Sequence, residues 1–222
     1  MIKQLALISI LAFSLSATAK PKSVYIIKDD DIAQAAQYFK EGQYSKAQAM
    51  YLDLASAGDK YAQYVLSVIE LQGLVEEPNL IKAYAWAKVA KESNNGKLKE
   101  HFDKVAELVT NPNEEQLLSV SSDIYRKYSN LGVSKRYYSY LRGEMPRCTG
   151  SRLRGNISAC RRIRVSCDPN MLTKTAREAC LEFVAKIQPE NLKRMKNDLD
   201  QLKTFVKELE QSTGSVTVSD EN

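Results

Sequence analysis

The chain has 222 residues, 44% hydrophobic and 27% charged, with 9 Gly, 6 Pro, 4 Cys and 1 His. This is an ordinary globular composition, which excludes wholesale disorder and collagen-like structure. The net charge is +5, and with a single histidine nucleophilic triads lack their usual base.

Residues 1–19 read as an export address. Lys3 gives a positive start, Leu5–Leu15 is too short to span a bilayer, and Ala17-Thr18-Ala19 fits small-x-small cleavage. No Cys lies near the cleavage point to carry a lipid. Removal takes only Lys3, so +5 becomes +4. No later apolar run approaches membrane length. The expectation is an exported protein, periplasmic or secreted after cleavage following Ala19, with no transmembrane segment and living where disulfides persist.

From residue 24 to 131 the apolar residues fall at helical spacing. Asp29-Asp30-Asp31 opens a first helix carrying Ala33, Ala36 and Phe39, and Gly42 ends it. Tyr44, Ala47, Met50, Tyr51, Leu54 and Ala55 form a second stripe, ended by Gly58. Asp59 caps a third helix with Ala62, Leu66, Val68 and Ile69, closing near Gly73. Pro78 precedes a fourth with Ile81, Ala83, Tyr84, Trp86, Ala87 and Ala90, ending at Asn94-Asn95-Gly96.

Laying the second helix on the fourth puts Ala47 on Ala83, Met50 on Trp86, Tyr51 on Ala87 and Leu54 on Ala90, each at an offset of 36 residues. Paired helices at this period mark units that bury a core by stacking. Ala62-Gln63-Tyr64-x-Leu66, Leu71-x-Gly73 and Lys82-Ala83-Tyr84-Ala85-Trp86-Ala87-Lys88-Val89-Ala90 resemble a Sel1-like repeat, a relative of the tetratricopeptide repeats. Ala33–Gly58 looks like a degenerate preceding unit, and Asn111-Pro112-Asn113-Glu114-Glu115-Gln116-Leu117 resembles the helix that closes such arrays. Ser67 stands where the family has Gly. The resemblance implies an α/α solenoid over roughly residues 29–130, with repeat core positions Ala47, Tyr51, Ala62, Leu66, Ala83, Trp86 and Ala90. It also implies a concave face that holds other proteins. Trp86, Tyr51, Tyr64 and Tyr84 read as packing, and His101 as a solvated or lightly packed histidine on a charged helix face.

Residues 132–188 form a different, basic module. Cys148, Cys160, Cys167 and Cys180 have no C-x-x-C spacing, so neither a zinc ribbon nor a thioredoxin-like centre fits. An even number in an exported chain reads as two disulfides. Spacing does not choose among the three connectivities; sequential pairing is the working expectation. Ile157, Ala159, Ile163 and Val165 alternate, interrupted by Arg161, which reads as a short strand open to pairing as a β-hairpin with the segment around Cys148. Asp168-Pro169 starts a helix with Ala176, Cys180, Phe183, Val184 and Ile187 as its buried stripe.

Arg147, Arg152, Arg154, Arg161, Arg162 and Arg164 fall in one stretch without an acid. The guanidinium fork suits phosphate and carboxylate, so the stretch is a candidate site for an acidic partner or an anionic envelope component. The plainer reading is surface pairing with acids elsewhere, such as Glu178, Glu182 or the C-terminal tail. Nucleic acid is not expected, given the compartment.

After Pro189, residues 189–211 read as an amphipathic helix. Leu192, Met195, Leu199, Leu202, Val206 and Leu209 make an a/d seam of about two and a half heptads. It is open to two uses, folding back on the repeats or forming a homodimer through residues 192–209. Residues 212–222 read as a disordered tail.

No nucleophile elbow, P-loop, H-E-x-x-H or dinucleotide fingerprint occurs. No cofactor, metal site or catalytic residue is expected. The sequence therefore reads as a mainly α, exported protein–protein interaction scaffold or adaptor: a short Sel1-like solenoid, a small disulfide-stapled module and a C-terminal helix. The alternatives are an envelope glycan-acting enzyme or an inhibitor of one, or a self-associating structural envelope protein.

Overall fold

The computed structural model describes residues 24–109, 113–148, 156–170 and 173–214. The expected signal segment, Pro112, Arg152, Arg154 and residues 215–222 lie outside the described residues. Among those described the protein is mainly helical, without strands. Among the described residues no helix is long and apolar enough to cross a membrane.

The first helices are α1 (Asp29–Lys40), α2 (Tyr44–Ser56), α3 (Lys60–Gln72) and α4 (Leu80–Ala90). Their ends follow local chemistry. The Asp59 carboxylate accepts the Ala62 N–H, and the Asn79 side chain accepts the Lys82 N–H. Gly73 ends α3 in the left-handed region at φ 64°, with the Pro78 ring directly against it. Each helix packs on the next. A short 3₁₀ turn, Lys91–Ser93, leads into α5 (Gly96–Leu108), and α6 (Glu114–Tyr128) and α7 (Asn130–Glu144) follow.

The core lies between α1 and α4, with α6 against it. Ala47, Tyr51, Leu54, Ala55, Ala62, Leu66, Ile69, Trp86 and Val89 are all buried there. Helix α4 is covered on nearly every side, touching α3, α5 and α6. Its small Ala83, Ala87 and Ala90 let those neighbours approach, while Trp86 fills the remaining space against Tyr128, with ring centroids 4.5 Å apart.

The basic module corrects the strand expectation. Residues Ile157–Cys160 form one short helical turn, α8, and Arg161–Ser166 continue without regular structure. The Asn156 side chain accepts the Ala159 N–H, which caps a turn where alternation alone suggested extension. Cys148 pairs with Cys160 and Cys167 with Cys180, the sequential connectivity. Helix α9 (Lys174–Ile187) buries Ile187 and half-buries Cys180, Phe183 and Val184, whereas Ala176, expected in that stripe, is exposed.

Helix α10 (Pro189–Gly214) extends past the expected end at residue 211. It packs along α7 and touches α8 and α9. Leu192 is fully buried, and Met195, Leu199, Leu202, Val206 and Leu209 are half-buried on the same face. The a/d seam therefore lies against this chain's own α7, with Lys135 Nζ 2.7 Å from a Glu210 carboxylate oxygen near its far end. Met145, Cys148, Cys160, Ile187 and Leu192 form a second core around the first disulfide.

Candidate functional site

Two places carry chemistry the core does not consume. The first is a cleft of about 710 Å³ between α3 and α5. Its upper wall begins where both helices begin. Asp59 caps α3, and the Asn95 side chain accepts the Lys97 N–H at the start of α5. Tyr61 and Tyr64, one turn apart on α3, present their rings with centroids 5.8 Å apart, and Tyr61 is 56% exposed. From α5, Lys97, Leu98, Glu100, His101 and Lys104 line the opposite wall. These positions recur at the three- and four-residue spacing of one helix face.

His101 is fixed in place rather than solvated. Its ring meets the Tyr64 ring edge-on at 4.7 Å, and Nε2 lies 2.9 Å from Ser67 Oγ. The Ser67 hydroxyl donates its one proton to the Ala83 carbonyl at 2.8 Å. The hydroxyl then accepts from Nε2–H, which assigns the Nε2-protonated tautomer to the neutral ring. Burial, and secondarily the Lys104 charge, push the imidazole below its usual range. The spacing is that of a nucleophile–base pair, but Ser67 is fully buried. Its hydroxyl therefore offers no nucleophile to a substrate. It joins α3, α4 and α5.

Charges along the cleft are mostly paired. Lys104 Nζ sits 2.7 Å from a Glu100 oxygen, which holds that carboxyl below and the lysine above their ordinary values. Lys60 forms a clasp behind the wall. Its ammonium donates to Glu92 Oε2 at 2.9 Å, to the Val89 carbonyl at 2.9 Å and to Gln63 Oε1 at 3.2 Å. Glu92 Oε2 also accepts the Asn130 N–H at 2.7 Å, so one carboxylate ties α3 to the start of α7. The site thus offers two phenol rings, an aliphatic side chain at Leu98, a neutral imidazole and charges of both signs. Such a mixture suits a ligand that is alternately polar and apolar along its length.

The second place is the arginine stretch. Arg161, Arg162 and Arg164 share one exposed loop between Cys160 and Cys167. Arg147 is exposed beside the Cys148–Cys160 bridge and borders a hollow with Glu144, Glu182 and Lys186. Arg152 and Arg154 lie outside the described residues. Glu178 and Glu182 are engaged by Lys174 and Lys186. Tyr137, upstream of this patch, donates its hydroxyl to the Tyr25 carbonyl of the N-terminal segment.

Tyr51 and Trp86 are buried, and Tyr84 packs on Phe102 at 5.3 Å. Tyr64, also read as packing, forms a wall of the cleft. Its juxtaposition with His101 joins residues 37 positions apart, which helical spacing alone does not pair. The available signal was the matching spacing of Tyr61 and Tyr64 with Lys97, His101 and Lys104. Among the described residues no group of three or more His, Cys, Asp or Glu is arranged to hold a metal ion. The chain matches no protein-family model, no curated protein and no solved structure.

Proposed function

We propose that this protein is an exported scaffold of the cell envelope, built on a short Sel1-like α/α array over residues 24–131. In this reading α1 with α2, and α3 with α4, are successive units, and the cleft between α3 and α5 is the concave face. An extended segment of a partner protein occupies it. The observation that carries the reading is the cleft itself: Tyr61, Tyr64, Leu98 and the neutral His101 line an open cleft of about 710 Å³. Aromatic walls supply contact area at low entropic cost, and the paired charges on the rim set register. Export is supported by the two disulfides and by the signal-like residues 1–19. The arginine loop at 161–164 gives the scaffold a second, electrostatic contact for an acidic or anionic component of the envelope.

The test is a pull-down from the native envelope with the chain from Lys20, a Tyr61→Ala/Leu98→Ala variant and an Arg161→Gln/Arg162→Gln/Arg164→Gln variant. The scaffold reading expects one partner retained by the parent and by the arginine variant, and lost by the cleft variant. A partner held equally by all three moves the binding face elsewhere on the molecule.

A further inference from the structure

The loop from Arg161 to Ser166 has an unusual combination of features. It has no helix or strand of its own, yet both ends are fixed. Cys160 is bridged to Cys148 and Cys167 to Cys180, and the first bridge is buried in the second core. Ile163 packs against that core, anchoring the loop at its middle. Arg161, Arg162 and Arg164 are exposed, and none has an ion-pair partner among the described residues. The acids of α9 and Glu144 at the end of α7 are already engaged: Glu178 faces Lys174, and Glu182 and Glu144 share Lys186. Asp168, on the far side of the second bridge, caps its own turn by accepting the Asn170 N–H.

Among the described residues the charge on the loop is therefore uncompensated, but charge is not all it presents. Val165 is 37% exposed immediately beside Arg164, and Leu181, next to the bridged Cys180, is 51% exposed. A loop that carries guanidinium groups and an outward apolar side chain matches a surface with phosphates above and hydrocarbon beneath. We propose that this pinned loop docks the protein on an anionic lipid bilayer. Arg161, Arg162 and Arg164 engage headgroup phosphates, and Val165 enters the boundary below them. The two bridges have already fixed the loop, so little ordering cost remains at contact. The inference rests on the scaffold reading only for export, which brings the chain to such a membrane.

Co-sedimentation with vesicles tests it, using the chain from Lys20 with both disulfides confirmed by the absence of free thiols. Vesicles are phosphatidylcholine alone or phosphatidylcholine mixed with phosphatidylglycerol. The parent is expected to bind only the mixed vesicles, and less as salt rises. The triple Arg161→Gln/Arg162→Gln/Arg164→Gln variant should lose on the order of 100-fold in partitioning, from three cationic contacts. Val165→Ser should lose several-fold on vesicles and nothing on soluble polyglutamate, since only the bilayer buries that side chain. No binding of the parent to mixed vesicles at low salt overturns the proposal, as does parent-like binding by the triple variant. Polyglutamate binding as tight as vesicle binding, with Val165→Ser silent on both, would replace the bilayer by an acidic polypeptide. Occupancy of the cleft uses none of these residues, so its pull-down result succeeds or fails separately.

Discussion

Removing the Glu92 carboxylate exposes how the cleft wall is held. Lys60 and Glu92 side chains retain only 14% and 20% of their exposure. Burial alone would push the Lys60 ammonium toward its neutral form, and this effect outweighs the attraction of Glu92, because the net shift of Lys60 is downward. The pair is thus a desolvated clasp that only partly offsets its own cost, not a large net source of stability. Glu92→Ala leaves the ammonium with two neutral acceptors and leaves the Asn130 N–H without its partner. Breaking a buried pair from one side costs about 3–5 kcal/mol, and the remaining exposure of both groups places this case near ~3 kcal/mol. For a chain of this size that lowers the melting temperature by roughly 6–12 °C. Removing the stranded charge as well, in Lys60→Met/Glu92→Ala, should recover about half of the loss. Urea unfolding of the parent, both single variants and the double variant closes the cycle. A Glu92→Ala cost below about 0.5 kcal/mol, or a double variant less stable than Glu92→Ala, refutes the reasoning.

Three further outcomes follow from the geometry. His101 titrates below its unfolded value, so its contribution to stability is present above about pH 6.5 and is lost as the pH falls through the lowered folded value; His101→Gln should flatten the acid side of a stability–pH curve, and an unchanged slope would contradict the placement. Gly73→Ala should destabilise by about 2 kcal/mol or more, because the residue is left-handed and a Cβ would meet Pro78 Cδ at 2.6 Å; a neutral result by thermal melting would contradict the close approach. Leu199→Asp should lower stability by about 2–4 kcal/mol while leaving the sedimentation of a monomer unchanged, because its seam is satisfied by α7 in the same chain. A parent dimer converted to monomer by that substitution would instead place the seam between two copies.

Where the chain carried its own punctuation, the sequence was readable. Asp59, Gly42, Gly58 and Gly73 bounded α1 to α3 because capping and left-handed turns are local. Ala83, Ala87 and Ala90 of α4 were legible as buried positions from their helical spacing. Helix α7 left no comparable trace. It lacks a clean apolar stripe, and its tyrosines and arginines are used on neighbours far away in sequence: Tyr137 on Tyr25, and Arg136 on the Ser56 carbonyl. The alternation at 157–165 suggested a strand because it is blind to capping. Asn156 and the bridge at Cys160 decided that segment. The cleft was hidden for a related reason. Tyr64 read as a packing residue and His101 as a residue of a charged helix face, and only the packing of α3, α4 and α5 through Ser67 makes them one site.

The central claim, that the cleft between α3 and α5 holds an extended polypeptide, is tested most directly by a photo-cross-linking side chain introduced at Tyr61 in the exported chain within its native envelope. A second chain carries the same group at Leu118, an exposed position outside the cleft. The scaffold account predicts one dominant adduct to a polypeptide from position 61, abolished by Leu98→Ala in the same chain, and none from position 118. Adducts of equal strength from both positions, or none from position 61, would contradict it.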